Sequence, residues 1–119
     1  MTVKYSVGEK GDRPWGSWEV LAVGPQYIVK RIVVNPKQKL SLQSHHFRSE
    51  HWIIADGTGF VTLDDKSFDA PQNTHIFIEK EQHHRMENRT DIPMTFIEVQ
   101  TGDTLDESDI VRYQDDYGR

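Results

Sequence analysis

The stretch Leu40-Ser41-Leu42-Gln43-Ser44-His45-His46-Phe47-Arg48-Ser49-Glu50-His51-Trp52 decides how this chain is read. Leu40 to Gln43 alternates apolar and polar at period 2, the pattern of a half-buried strand. If that strand continues, Gln43 and His45 share one face of it. A second apolar run, residues 51–55, follows Glu50 and is closed by Asp56-Gly57. All six histidines of the chain, His45, His46, His51, His75, His83 and His84, fall between residues 45 and 84. The chain has no cysteine, so a disulfide framework, a zinc ribbon and a thiol nucleophile are excluded. Histidine with carboxylate is then the ligand set available for a metal.

Outward from this stretch the chain reads as short strands and turns. Residues 17–23 and 27–34 are β-rich runs separated by Gly24-Pro25, and Asn35-Pro36 stops the second. Residues 59–63 follow Asp56-Gly57 at once, which predicts a hairpin with residues 51–55. Residues 75–79 and 94–100 are the remaining strong strand candidates. Such spacing, without a ten-residue helical pattern, predicts an all-β sandwich or barrel. Residues 1–12 read as a flexible lead-in to a domain over residues 13–119. Asp106-Glu107-Ser108-Asp109 predicts a cap for a short C-terminal helical turn at Ile110-Val111.

The 119 residues fit one domain. With 14 basic and 19 acidic side chains the net charge is −5, which argues against a nucleic-acid partner. No apolar run reaches the roughly 18 residues of a spanning helix, and the first residues lack an apolar secretory core. No membrane partner and a cytoplasmic location are therefore expected.

The order His45, Glu50, Gly57, then a distant His84 and Asn88, resembles the signature motifs of cupin β-barrels. Residues 40–52 more specifically resemble the hallmark of type II phosphomannose isomerases. Arg13-Pro14-Trp15-Gly16, Lys30-Arg31-Ile32, His84-Arg85-Met86-Glu87-Asn88, Ile97-Glu98-Val99-Gln100 with Gly102, and Asp109-Ile110-Val111-Arg112 with Asp115, Tyr117, Gly118 and Arg119 extend the likeness. The resemblance implies a single cupin, a double-stranded β-helix of jelly-roll type, with one divalent metal inside the barrel. It implies zinc first, with manganese, cobalt, nickel or iron as alternatives, bound by His45, Glu50 and His84. The implied reaction interconverts fructose 6-phosphate and mannose 6-phosphate. Arg48 is then the candidate for stabilising enediolate charge, and Glu87 or Glu50 for the base. Lys30, Arg31, Arg85 and Arg112 are the candidate phosphate partners, with Gln43 a further substrate contact. A homodimer is expected.

The chain departs from the family pattern at three places. Phe47 stands where the family carries histidine, leaving His46 as a stand-in ligand only if a bulge re-aims it. Glu79 and Glu81 replace a proline and a turn glycine, so that either the turn is reshaped or a carboxylate has moved toward the metal. These departures keep a non-catalytic cupin that binds a metal or sugar phosphate as the alternative reading. The bland expectations are that His51, His75 and His83 are bystanders, the three tryptophans are core, Arg48 pairs with Glu50, and Arg112 pins the tail through Asp115 or Asp116.

Overall fold

The computed structural model describes residues 2–115, and Met1, Asp116, Tyr117, Gly118 and Arg119 lie outside the described residues. Thirteen strands are described: β1 (Thr2–Val3), β2 (Lys10–Arg13), β3 (Gly16–Val23), β4 (Tyr27–Val34), β5 (Leu42–Ser44), β6 (Ser49–Asp56), β7 (Gly59–Leu63), β8 (Lys66–Ala70), β9 (His75–Ile78), β10 (His84–Glu87), β11 (Met94–Thr101), β12 (Thr104–Leu105) and β13 (Val111–Gln114). They form a six-stranded sheet in the order β2-β3-β4-β11-β6-β9, a five-stranded sheet in the order β13-β5-β10-β7-β8, and the small parallel pair β1-β12. The two larger sheets are antiparallel throughout and separate, so the barrel is open rather than closed.

Alternation builds the interior. In β4, Ile28, Lys30, Ile32 and Val34 are buried, while Tyr27 and Arg31 are exposed. In β11, Met94, Phe96, Glu98 and Gln100 all face inward. Register joins these rows: Phe96 lies opposite Ile32 and Ile54, Glu98 opposite Lys30 and Trp52, and Gln100 opposite Glu50. One end of the interior is therefore apolar, around Met94, Phe96, Ile54 and Val34. The other is polar, around Glu98, Gln100, Glu50 and Lys30. That polar end fixes where the site sits.

Two expectations change. Residues 51–55 and 59–63 do not form a hairpin. β6 pairs with β11 and β9, while β7 pairs with β10 and β8. Gly57, at φ 78°, lets the chain turn from one sheet into the other, a backbone state that glycine adopts without a Cβ penalty. The lead-in contributes strands to the fold. β1 pairs with β12, Tyr5 is buried, and β2 is an edge strand on β3. No helical turn follows Asp106. Its carboxylate does accept from the Ser108 amide at 3.0 Å, but Asp109 spends both carboxylate oxygens on the amides of His46 and Phe47. The chain then enters β13, which pairs with β5.

Candidate metal centre

His45 follows β5, Glu50 lies near the start of β6, and His84 opens β10. The three are buried, and each offers a ligand atom within 4.8 Å of the others. His45 Nε2 lies 3.2 Å from His84 Nε2 and 3.2 Å from Glu50 Oε2, and His84 Nε2 lies 3.8 Å from Glu50 Oε1.

Both rings are oriented from behind. His45 Nδ1–H donates to the Asp109 carbonyl at 2.6 Å, and His84 Nδ1–H donates to the Gln82 carbonyl at 3.0 Å. Such bonds fix the tautomer that leaves Nε2 free to accept. Burial pulls the His84 ring down to about 4, outweighing the Glu50 charge that raises it. His84 is thus neutral at pH 7. Its Nε2 lone pair confronts the Nε2 of His45, an arrangement that asks for a shared cation. Beside Glu50 and His84 lies a void of about 20 Å³, room for one ion or one water. The donor set, two imidazoles and a carboxylate, suits zinc, iron, manganese, cobalt or nickel.

Arg48 contests the same atoms. Its Nε donates to Glu50 Oε2 at 2.8 Å, and its Nη2 approaches His45 Nε2 at 3.2 Å. His45 Nε2 has one lone pair, so a metal must displace that second contact. Burial alone would raise the Glu50 carboxyl, but the Arg48 guanidinium beside it overrides this and holds Glu50 well below the usual carboxylate range. The expected Arg48–Glu50 ion pair is therefore present, and it lies inside the centre.

The triad adjoins a cavity of about 200 Å³ whose lining includes Arg48, Gln43, Lys30, Glu98 and Arg112. Gln43 lies directly opposite His84 in the β5–β10 pair. Its amide nitrogen donates to Ser41, which leaves the amide oxygen for other partners, and Gln43 lines the cavity as the expected substrate contact would. Lys30 is buried with its ammonium 4.3 Å from the Tyr5 ring and 4.7 Å from the Trp18 ring. Burial lowers its pKa against the opposing pull of Glu98.

Several sequence candidates lie elsewhere. His46 is not a ligand here. Its exposed ring pairs with Glu81 at 2.7 Å, as strand parity required. Phe47 is 56% exposed, so its side chain points out of the barrel and a histidine in that orientation would miss the triad. Neither replacement glutamate reaches the centre: Glu81, at φ 73°, is spent on His46, and Glu79 is exposed. Glu87 faces the opposite side of β10 from His84 and pairs with Arg89 at 2.9 Å, which removes it as the base. Arg85, also on that side, donates to the carbonyls of Leu40 and Gln114 and so fastens β13 instead of meeting substrate. Arg31 is on the outer face with Glu19. His51 and His75 stack on that same outside.

The carboxyl missed in the sequence is Glu98. It is buried, accepts from Trp52 Nε1 at 3.2 Å and Gln100 Nε2 at 2.8 Å, and lines the cavity. Burial first, and then the neighbouring Glu50 charge, push its pKa up to about 8.

The mannose-6-phosphate isomerase C-terminal family model matches residues 3–115. The chain belongs to this family. The alginate biosynthesis protein AlgA of Pseudomonas aeruginosa is 48% identical over 107 residues, covering 90% of this chain but 22% of that protein. The xanthan biosynthesis protein XanB of Xanthomonas campestris is 45% identical, with 90% and 23% covered. A mannose-1-phosphate guanylyltransferase of Escherichia coli is 44% identical, with 90% and 22% covered. The mannose-6-phosphate isomerase C-terminal domain described here thus spans less than a quarter of these relatives. Among solved structures, the capsular polysaccharide assembling protein CapF of Staphylococcus aureus superposes with a TM-score of 0.77 at 18% identity, over 93% of this chain and 35% of that one. The cupin domain of Schizosaccharomyces pombe Cnp3 gives 0.69 at 10%, over 73% and 64%. These two likenesses support the cupin fold alone.

Proposed function

We infer that this domain interconverts fructose 6-phosphate and mannose 6-phosphate with a divalent metal held by His45, Glu50 and His84. The observation that carries the reading is that this buried triad and Glu98 adjoin one cavity lined by cationic groups. Aldose–ketose isomerisation moves a proton between C1 and C2 through an enediol. A divalent cation at the triad supplies Lewis-acid polarisation of the sugar's carbonyl oxygen. Glu98, buried at the wall of the same cavity, takes the proton from one carbon and returns it to the other. Arg48, released from His45, stabilises negative charge on the enediol oxygens. Arg13 and Arg112, with Lys30, supply cations for the phosphate. The product would feed nucleotide-sugar and polysaccharide synthesis in the cytoplasm, in keeping with what the relatives are named for.

A second reading, a binding module without chemistry, rests on one observation: Arg48 already engages His45 Nε2. Incubation with fructose 6-phosphate and zinc, manganese, cobalt, nickel or iron separates the two. Isomerase activity yields mannose 6-phosphate with at least one metal, and its absence with all five favours the module.

We also propose a homodimer, formed by the outer face of the six-stranded sheet against a second copy. Tyr27 (43% exposed), Ile53 (45%) and Phe77 (46%) stand on that face. Around them lie partly buried Val29, Ile97 and Val99, a row of apolar groups that a second copy would cover.

A further inference from the structure

Among the described residues, two buried side-chain polar atoms have no hydrogen-bond partner: the indole nitrogen of Trp15 and the amide oxygen of Gln100. Trp15 is 5% exposed and Gln100 fully buried, yet both line the same cavity of about 200 Å³ beside the metal centre. An orphaned buried polar group carries its full desolvation cost, and folded proteins keep few of them. Here one orphan only donates and the other only accepts. A hydroxyl group does both, so a polyhydroxylated ligand can satisfy the two together.

Both residues are anchored in the fold. Trp15 sits in the β2–β3 turn, where its carbonyl accepts from the Asn35 amide at 2.8 Å. Gln100 is held on β11, where its amide nitrogen donates to Glu98 Oε2 at 2.8 Å. That bond sets the orientation of the amide and leaves the oxygen as the free end. Gln100 is thus fixed by the residue assigned to proton transfer, which ties hydroxyl recognition to the reacting end of the cavity.

We propose that Trp15 and Gln100 form a hydroxyl-reading pair that selects a polyol phosphate over phosphates of the same charge. The proposal rests on the phosphosugar reading above and adds residues that decide specificity. Burial of two unpaired groups disfavours any ligand that lacks hydroxyls, because such a ligand closes the cavity without satisfying them.

The test uses the whole chain loaded with zinc and three probes in calorimetric titration: glucitol 6-phosphate, which has no carbonyl to isomerise, pentyl phosphate, which has no hydroxyls beyond the ester, and inorganic phosphate. The variants are Trp15→Phe, which keeps the aromatic ring, and Gln100→Met, which keeps the volume. Each should weaken glucitol 6-phosphate by about tenfold or more and leave pentyl phosphate and inorganic phosphate within about twofold. Trp15→Phe should also keep or raise the melting temperature of the ligand-free protein, since only an unpaired polar atom has been removed, and a merely structural role for the indole nitrogen would lower it; Gln100→Met also loses the bond to Glu98 and is read by binding alone. If both variants bind glucitol 6-phosphate as the parent does, as they will if water alone satisfies these groups, the pair is not a recognition device. If all three probes weaken equally, the residues shape the cavity and do not read hydroxyls. If the parent binds inorganic phosphate but not glucitol 6-phosphate, the phosphosugar reading fails and the proposal with it.

Discussion

Glu98 and His84 are buried titratable groups whose shifts act on stability in opposite directions. Folded Glu98 keeps its proton to about pH 8, whereas an exposed glutamate loses it near 4.5. The native state binds the extra proton across that window, so this group makes stability fall as pH rises through it. Folded His84 titrates near 4 against an ordinary 6.5. Here the unfolded chain binds the extra proton, and stability rises with pH from about 4 to 6.5. Between pH 6.5 and 8 only the Glu98 effect operates of the two. Metal-free protein should therefore lose melting temperature from pH 6.5 to 8, and Glu98→Gln should flatten that decline. Parallel curves for parent and variant would show that Glu98 ionises normally. This residue was hidden in the sequence for a physical reason. Ile97-Glu98-Val99-Gln100 reads as a strand with its polar side outward, but Met94 and Phe96 share the parity of Glu98 and belong to the core. Parity tells which residues share a face, not which face is buried. His45, Glu50 and His84 could be grouped beforehand because the resemblance to the cupin motifs implied them without knowledge of the face, and the fold does bring the three together.

At the level of elements, the turn between β5 and β6 carries the centre, and three neighbours hold it. Asp109 caps the His46 and Phe47 amides, Glu81 donates its amide to the His45 carbonyl, and Gly102 passes close behind. A Cβ at Gly102 would meet the Phe47 carbonyl oxygen at 2.4 Å, a backbone atom that cannot swing aside. Gly102→Ala should cost about 1–3 kcal/mol in chemical denaturation and reduce metal retention, because the turn bearing His45 must shift. Wild-type stability in that variant would mean the turn is not clamped there. Elements were read unevenly. β4 and β11 announced themselves by long β-rich runs. β8 and β13 did not, since short edge strands carry little hydrophobic pattern. The expected hairpin failed because Asp56-Gly57 signals a turn but not the partner, and pairing with β9, β10 and β11 is non-local.

Over the whole molecule, the interior divides into an apolar end that stabilises the open barrel and a polar end that holds the site. This division follows from one register: Phe96 meets Ile32 and Ile54, and two residues on Glu98 meets Lys30 and Trp52. The fold class was legible from strand spacing and turn chemistry; the open barrel was not, because closure depends on which edges meet. On the outer face, Ile53→Glu with Phe77→Glu should convert a dimer seen by light scattering into a monomer without lowering the melting temperature of the isolated fold. A monomeric parent would remove the dimer altogether.

Binding of a divalent cation by the buried triad is read out by elemental analysis of metal content. Parent protein loaded and then desalted should retain about one divalent ion per chain, while the folded His45→Ala, His84→Ala double variant retains almost none. Equal metal in the two proteins would contradict the assignment.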